Sequence, residues 1–440
     1  MNKNFTKEVA LIAVPVALQS MLQSSFSMID QIMVGQLGEQ SIAAVEIAAK
    51  PGFIYAFVIG AIGAIAGIMI SQYIGKGDKL AEEKSICLNF LVMLITGMLF
   101  SGVALGCSNS FVKLFTSDEF VVITGGSYLR IIAWTFITLG FSNVFGVALR
   151  CRGKSILPLY VSFASAVVNT GLNYLLIFGN CHMPQLGVKG AAYASVISQM
   201  IGAIVILILF FKEYGRINIS VRLDRNGYIQ YVCMLAPVVI NEFMWSVGQS
   251  INTFVYGHMG TEELAGMSLT GSVQGLTIGA LSGLSQAAGI MIGKRLGEGE
   301  YDLAYKESKK LCIYGFLGTI VFSILVIVLR YPYVNIYNVS DEVHIIGANI
   351  LIAFAILMPV KVQNMILGGG IIRSGGRTKY LMIIDMMGTW LVGVPLALYT
   401  GLVLKLSIVW VYFILSQEEV VRFIISIFMF RSKKWMNTLD

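Results

Sequence analysis

The chain has 440 residues, of which 56% are hydrophobic and only 12% charged, and its mean hydropathy is +0.78. Soluble domains carry about twice that share of charge, so intrinsic disorder and a soluble multidomain enzyme are excluded. Thirty-one Lys and Arg against 24 Asp and Glu leave a net charge of +7, whose meaning depends on where the cations fall.

A helix needs about 20 apolar residues to cross ~30 Å of hydrocarbon, and that ruler predicts about twelve spans. The first six cover residues 9–35, 42–74, 86–107, 127–149, 156–179 and 187–211. The second six cover 229–257, 264–293, 311–330, 343–372, 380–403 and 407–430. The first run is too long for the ~7–15-residue core of a signal peptide and reads as a membrane helix. Open sheet edges do not survive in lipid, and a barrel needs short alternating segments. The fold class is therefore an all-α integral membrane protein. Six scattered cysteines (Cys87, Cys107, Cys151, Cys181, Cys233 and Cys312) have neither zinc-ligand spacing nor a disulfide framework, and read as small apolar side chains.

Between successive spans the cations alternate in abundance. Lys76, Lys79 and Lys84 follow the second span; Arg150, Arg152 and Lys154 the fourth; Lys212, Arg216, Arg222 and Arg225 the sixth. Lys294, Arg295, Lys306, Lys309 and Lys310 follow the eighth; Arg373, Arg377 and Lys379 the tenth; Arg431, Lys433 and Lys434 the last. With Lys3 and Lys7, about 23 of the 31 fall on one face, against about four (Lys113, Lys189, Arg330 and Lys405) on the other. Basic loops stay in the cytoplasm, which predicts both termini inside the cell membrane and turns the net charge into a topology signal.

The chain is duplicated. At an offset of 222, Pro15 aligns with Pro237, Gly35 with Gly257, Gly38 with Gly260 and Ala43 with Ala265. The run Ala66-Gly-Ile-Met-Ile70 aligns with Ala288-Gly-Ile-Met-Ile292, and Gly75-x-Gly77 with Gly297-x-Gly299. Arg150-Cys-Arg-Gly-Lys-Ser155 resembles Arg373-Ser-Gly-Gly-Arg-Thr378 at an offset of 223. Six spans per repeat predict an N-lobe over residues 1–225 and a C-lobe over 226–440, related by a pseudo-two-fold axis along the membrane normal. The polar stretch Lys212 to Asn226 is the expected linker. Duplicated lobes around a midplane site are a transporter plan.

Ionised side chains at mid-helix cost about 2.5–3.5 kcal/mol each, so the few present in the spans stand out. Asp30 lies five residues before Gly35, roughly 8 Å inside the helix end. Its repeat counterpart is Asn252, so the charge is kept in one lobe, which suits a proton or cation site. Asn169 and Asn173 share one face of span five, and Ser195 lies in span six. With Asp30 they could supply oxygen ligands or hold a protonated carboxyl, although interhelical hydrogen bonding explains amides equally well.

A second polar set lies in the C-lobe, as a polar site or substrate-cavity lining: Asn241, Glu242 and Gln249 in span seven, Lys361 in span ten and Asp385 in span eleven. Asp385 reads as a helix-start carboxylate. Lys361 precedes Arg373 by 12 residues, ~18 Å, too far for a ~6 Å stem to reach the interface. It is expected to meet Glu242 or Asp385, a choice left open. Glu46 with Lys50, and Glu418 and Glu419 with Arg422, are expected to neutralise one another structurally. Gly153-Lys154-Ser155 lacks the first glycine of a phosphate loop, and His182, His258 and His344 fall outside the centre of the spans.

Further series carry a family likeness. In the first half they are Pro15 with Asp30 and Val34-Gly35; Gly75-x-Gly77; Leu149-Arg150-x-x-Gly153; Asn169-x-x-x-Asn173-Tyr-Leu-Leu-Ile-Phe-Gly179; and Gly187-Val-x-Gly190-Ala-Ala-x-Ala194-Ser195. The second half adds Pro237 with Asn241-Glu242 and Trp245, Arg373-Ser-Gly-Gly-Arg-Thr, and Trp390-x-x-Gly393-Val-Pro395-Leu-Ala. In this order they resemble the multidrug and toxic compound extrusion (MATE) family over nearly the whole chain.

The resemblance implies a V-shaped, twelve-helix antiporter that expels cationic or amphipathic organic compounds in exchange for H⁺ or Na⁺. A working monomer without a cofactor is expected, and the placement of the basic residues argues against a nucleic-acid partner. Asp30 matches the family's coupling aspartate, and Asn169 and Ser195 match polar positions of its N-lobe cation site. Asn173 departs from it, because members with a well-formed sodium site carry Asp there. Losing that hard ligand favours H⁺ over Na⁺ held at Asp30 and Asn169. The glutamate that one branch uses in span seven falls at Trp245, one turn from Glu242. A flippase for lipid-linked or other anionic substrates would need a strongly cationic cavity. An intramembrane lipid-modifying enzyme would need a catalytic dyad or metal cluster in the spans; the sequence offers neither.

Overall fold

Each long apolar run is helical, and glycines and capping side chains set where it stops. The computed structural model describes residues 3–217, 225–337 and 339–439, so the middle of the expected linker, with Arg222, lies outside the described residues. The first half holds α1 (Lys3–Gly35), α2 (Glu39–Lys76), α3 (Lys79–Lys113), α4 (Glu119–Ile132), α5 (Thr135–Cys151), α6 (Ile156–Phe178) and α7 (Val188–Tyr214). The second holds α8 (Arg225–Met259), α9 (Thr261–Gly297), α10 (Tyr301–Val334), α11 (Asp341–Asn364), α12 (Thr378–Met386), α13 (Val394–Leu398), α14 (Ile408–Leu415) and α15 (Gln417–Arg431). No strand occurs among the described residues. Asp78 caps α3 by accepting from the Ala81 amide at 2.9 Å, and Asp118 caps α4 through the Phe120 and Val121 amides.

Among the described residues, eleven stretches are long and apolar enough to cross a bilayer, where about twelve are predicted by length. The fourth is α4 and α5 together, Glu119–Cys151. The difference lies in the last run, which divides at Ser416 into helices of 8 and 15 residues. Glu418, Glu419 and Arg422 fall in the second piece and interrupt the apolar window. Six of the helices also outrun their predicted spans at both ends, because hydropathy sees only the apolar part of a helix that continues into polar caps.

The two halves share local geometry. Gly77 and Gly299 turn the chain at φ +73° and +76°, and Gly153 and Gly376 do so at +77° and +75°. These left-handed values suit glycine, which has no Cβ to clash. Ser101 Oγ donates to the Ala133 carbonyl at 2.7 Å, and Ser323 Oγ to the Ala355 carbonyl at 2.8 Å, again 222 residues apart. Ser101→Ala and Ser323→Ala are expected to cost a similar ~1 kcal/mol each, read as matched losses of thermal stability in detergent. The halves differ in that Met365–Ile372, Met387–Gly393 and Tyr399–Val403 are π-helical, whereas the equivalents of the first two lie inside α5 and α6.

The described residues of Leu18–Ile70 and Asp78–Asp224 form one compact unit, and those of Met1–Ala17, Ser71–Gly77 and Arg225–Asp440 the other. In the second unit α9 meets its neighbours through glycines: a Cβ on Gly283 would stand 2.1 Å from the Ala13 carbonyl oxygen, and one on Gly297 2.0 Å from that of Gln72. The end of the chain folds over the same place. Trp435 is fully buried and stacks on Phe430, which stacks on Tyr305. Gln72 accepts from the Leu439 amide at 2.7 Å and donates to the Ser374 carbonyl at 2.6 Å, while Lys76 donates to the Leu439 carbonyl.

Candidate functional site

In the first unit, α6 aligns Asn169 and Asn173 one turn apart, and α1 brings Asp30 to them. The start of α7 can approach because Gly190 has no side chain: a Cβ there would lie 2.4 Å from the Leu176 carbonyl oxygen. That approach sets Ser195 beside Asn169. All four residues expected from the sequence therefore meet. Asn173 Nδ2 donates to Asp30 Oδ1 at 2.7 Å, and both asparagines are buried, at 1% and 8% exposure, while Asp30 remains partly accessible.

The orientation of the Asn169 carboxamide is assigned from its neighbours. With its nitrogen towards Asp30 it donates to Oδ1 at 2.8 Å and to Oδ2 at 3.2 Å. With its oxygen towards Asp30, that oxygen accepts from Asn173 Nδ2 at 3.2 Å and its nitrogen lies 3.4 Å from Ser195 Oγ. Opposite an ionised Asp30 only the first avoids oxygen facing oxygen. Tyr128, which no pattern in the sequence singles out, packs on Val34, Ile177 and Ala191 beside these residues and feels the Asp30 charge. Its position at the entrance of span four gives no signal.

The second unit gathers a denser network than the sequence suggests. Asn241 Nδ2 donates to Asp385 Oδ2 at 2.7 Å. Asp385 is the eighth residue of α12, too deep for a helix-start role. The cation nearest to it is Arg422, whose Nε stands 3.9 Å from Oδ1, and not Lys361, whose charge is felt by Glu418. Arg422 also pairs with Glu418 at 3.3 Å and Glu419 at 3.8 Å and donates to the Thr389 hydroxyl. Asn364 Nδ2 donates to Glu419 Oε2 at 2.8 Å. Glu242 lies within electrostatic reach of Arg373 and Asp385. Gln249 sits eight residues beyond Asn241 on α8, and no hydrogen bond joins its side chain to the network among the described residues. The expected Glu46–Lys50 pair does not form within 4 Å; Lys50 lies over the Phe115 ring at 5.8 Å.

The Arg422 network has its own space. A Cβ on Gly388 would fall 2.4 Å from Arg422 Cγ, and one on Gly393 2.0 Å from Glu418 Oε2. Outside the spans, Arg152 forks onto Glu82 at 3.0 and 3.1 Å and lies 3.6 Å over the Tyr214 ring. Partial burial works against the Arg152 charge, but the Glu82 hydrogen bonds outweigh it and hold the guanidinium above its ordinary basicity. Among the described residues no group of His, Cys, Asp and Glu has the arrangement of a metal centre.

The MatE family model matches residues 15–175 and 237–399, two blocks that start 222 residues apart, at Pro15 and Pro237. The chain belongs to the MatE family. Over 436 residues it is 22% identical to the probable multidrug resistance protein NorM of Thermotoga maritima, covering 98% of this chain and 93% of that protein. It is 24% identical to the uncharacterized transporter YisQ of Bacillus subtilis, covering 96% and 93%. Its fold matches the crystal structure of the Vibrio cholerae MATE transporter VcmN in the bent form with a TM-score of 0.88 at 17% identity, over 99% of both chains. A MATE structure in complex with MaL6 gives a TM-score of 0.88 at 18% identity, over 98% of this chain and 96% of that one. This MatE protein is a multi-pass membrane transporter, not an enzyme.

Proposed function

We propose that this MatE transporter is a proton-coupled antiporter that exports cationic or amphipathic organic compounds by rocking of two lobes, with Asp30 taking up and releasing the proton. Several relatives are named as probable multidrug resistance proteins, which supports the substrate class. The basic-loop asymmetry supports a cell-membrane placement with both termini cytoplasmic, and the chain is proposed to work as a monomer.

The observation that carries the choice of ion is the pair of carboxamide N–H groups on Asp30, from Asn173 to Oδ1 at 2.7 Å and from Asn169 to Oδ1 at 2.8 Å and Oδ2 at 3.2 Å. When Asp30 is ionised, Asn169 and Asn173 both donate to it. The carboxylate keeps lone-pair sites beyond these bonds, enough to take up one proton. A sodium ion would instead want oxygen ligands on every side, and Asn173 presents an N–H to Asp30.

Proteoliposomes loaded with a fluorescent organic cation separate the two ions. An imposed pH gradient is expected to drive the cation uphill, and an imposed sodium gradient at equal pH is not. Uphill movement under sodium alone would assign the coupling to Na⁺, and none under either gradient would overturn antiport.

A further inference from the structure

Where α8 and α12 begin, in the second unit, a cavity of about 590 Å³ opens between the two helices and the last residues of the chain. Gln230 and Cys233 of α8 line it, as do Arg377, Lys379 and Ile383 at the start of α12, and Leu439. Leu439 is buried and held by Gln72 and Lys76, so this wall is fixed.

The cations here have no acid to neutralise them. No Asp or Glu stands among the described lining residues. Arg377 and Lys379 are exposed, and neither makes an ion pair among the described residues. Arg377 spends one N–H on the Tyr380 phenol, at 3.3 Å, which leaves most of its five donors open. The first half supplies the comparison. Lys154, the counterpart of Arg377 at an offset of 223, pairs with Glu213 at 3.3 Å, and the counterpart of Lys379 is the apolar Ile156. The second repeat has thus added one cation and left the other without its acid. No side chain caps α12, because the Thr378 hydroxyl donates to the Met234 carbonyl instead, so the first amides of the helix add to the positive field.

The cavity also lies at a boundary between polar and apolar surface. Gly227–Met259 and Thr378–Val403 are both long and apolar enough to cross a bilayer, and the cavity meets each within its first two turns. From there each continues as an exposed stripe. On α8 it is Ile229, Cys233, Ala236 and Ile240, at three- and four-residue spacing. On α12 and the π-helical segment after it, the stripe is Ile383, Met387 and Leu391. A soluble anion would engage the cations alone, whereas an anionic lipid would engage the cations and the stripes together.

We propose that this cavity binds the headgroup of an anionic phospholipid, with its phosphate on Arg377 and Lys379 and its acyl chains along the exposed stripes. A zwitterionic lipid is disfavoured, because its ammonium group finds no carboxylate among the lining residues. The lipid site depends neither on the coupling ion nor on the exported substrate proposed above.

The test follows Cys233, which lines the cavity and is exposed, with the exposed Cys181 as reference. The purified protein in neutral detergent is treated with a maleimide, and the alkylation rate at each cysteine is read by peptide mass spectrometry. Phosphatidylglycerol is expected to slow Cys233 and not Cys181, while phosphatidylcholine and glycerol 1-phosphate leave both rates unchanged. Arg377→Gln combined with Lys379→Gln should raise the phosphatidylglycerol concentration needed by about thirtyfold, and Lys154→Gln should leave it unchanged. No protection by phosphatidylglycerol, equal protection by phosphatidylcholine, or undiminished protection in the double variant overturns the proposal. Equal protection by glycerol 1-phosphate assigns the cavity to a soluble anion and overturns the lipid. Native mass spectrometry gives an independent count: the wild type should retain one more phosphatidylglycerol than the double variant, and equal counts overturn the site.

Discussion

Replacing Asp30 with asparagine is expected to abolish uphill export while leaving the protein folded and able to let its substrate equilibrate. Asparagine stands in for the protonated acid: it is neutral and similar in shape. It cannot release that proton. A ligand biases two conformations only through different affinities for them, and without a titrating group the proton no longer distinguishes the states. In one-for-one exchange a pH gradient of one unit supplies about 1.4 kcal/mol and supports about a tenfold substrate gradient. In proteoliposomes the wild type should approach that ratio, and Asp30→Asn should settle near unity. Full uphill accumulation by the variant would remove Asp30 from the coupling step.

Arg422→Met is expected to be among the most destabilising single changes in the second unit. Arg422 is buried, 7% exposed, and contacts Glu418 and Glu419, which are 6% and 8% exposed. Removing one partner of a buried ion pair leaves the other charge uncompensated, a loss of about 3–5 kcal/mol. The carboxylates cannot turn to water, because Gly393 is shaped around Glu418 and Asn364 holds Glu419. Adding Glu418→Gln to Arg422→Met should restore a substantial part of the loss, since the uncompensated charge is then reduced. Thermal unfolding of the purified variants reads both effects, and a double variant no more stable than Arg422→Met would show that packing rather than charge sets the cost.

The spans, the duplication and the first-half site are legible because each leaves a local trace. Apolar runs set the helices. The repeated Gly75-x-Gly77 and Gly297-x-Gly299 motifs mark turns whose backbone angles nearly coincide. Asp30, Asn169 and Asn173 stand out because an acid and two amides at helical spacing are rare in lipid. The second network is readable only in pieces. Asp385 looks like a helix start because the span ruler cannot tell how far a helix extends. Lys361 attracts the wrong neighbours because partner choice among buried ions is a tertiary matter that spacing on one helix does not encode. The glycines that make room for Arg422 and Glu418 give no signal, being only two of the 46 in the chain. The break at Ser416 is invisible to hydropathy, which averages over it.

The closure of Gln72 and Lys76 by Leu439 has a kinetic consequence. Gln72 and Leu439 are separated by 367 positions, so their contact closes a loop that spans most of the chain. Contacts of that kind form late, because the intervening loop entropy must be met first. During synthesis the end of α2 is made early, meets Gly297 and Ser374 once the second half is made, and gains its last partner only with the final residues. A chain cut before Trp435 should therefore insert its helices and still leave this end of the second unit unsealed, and proteolysis near Gln72 would report it.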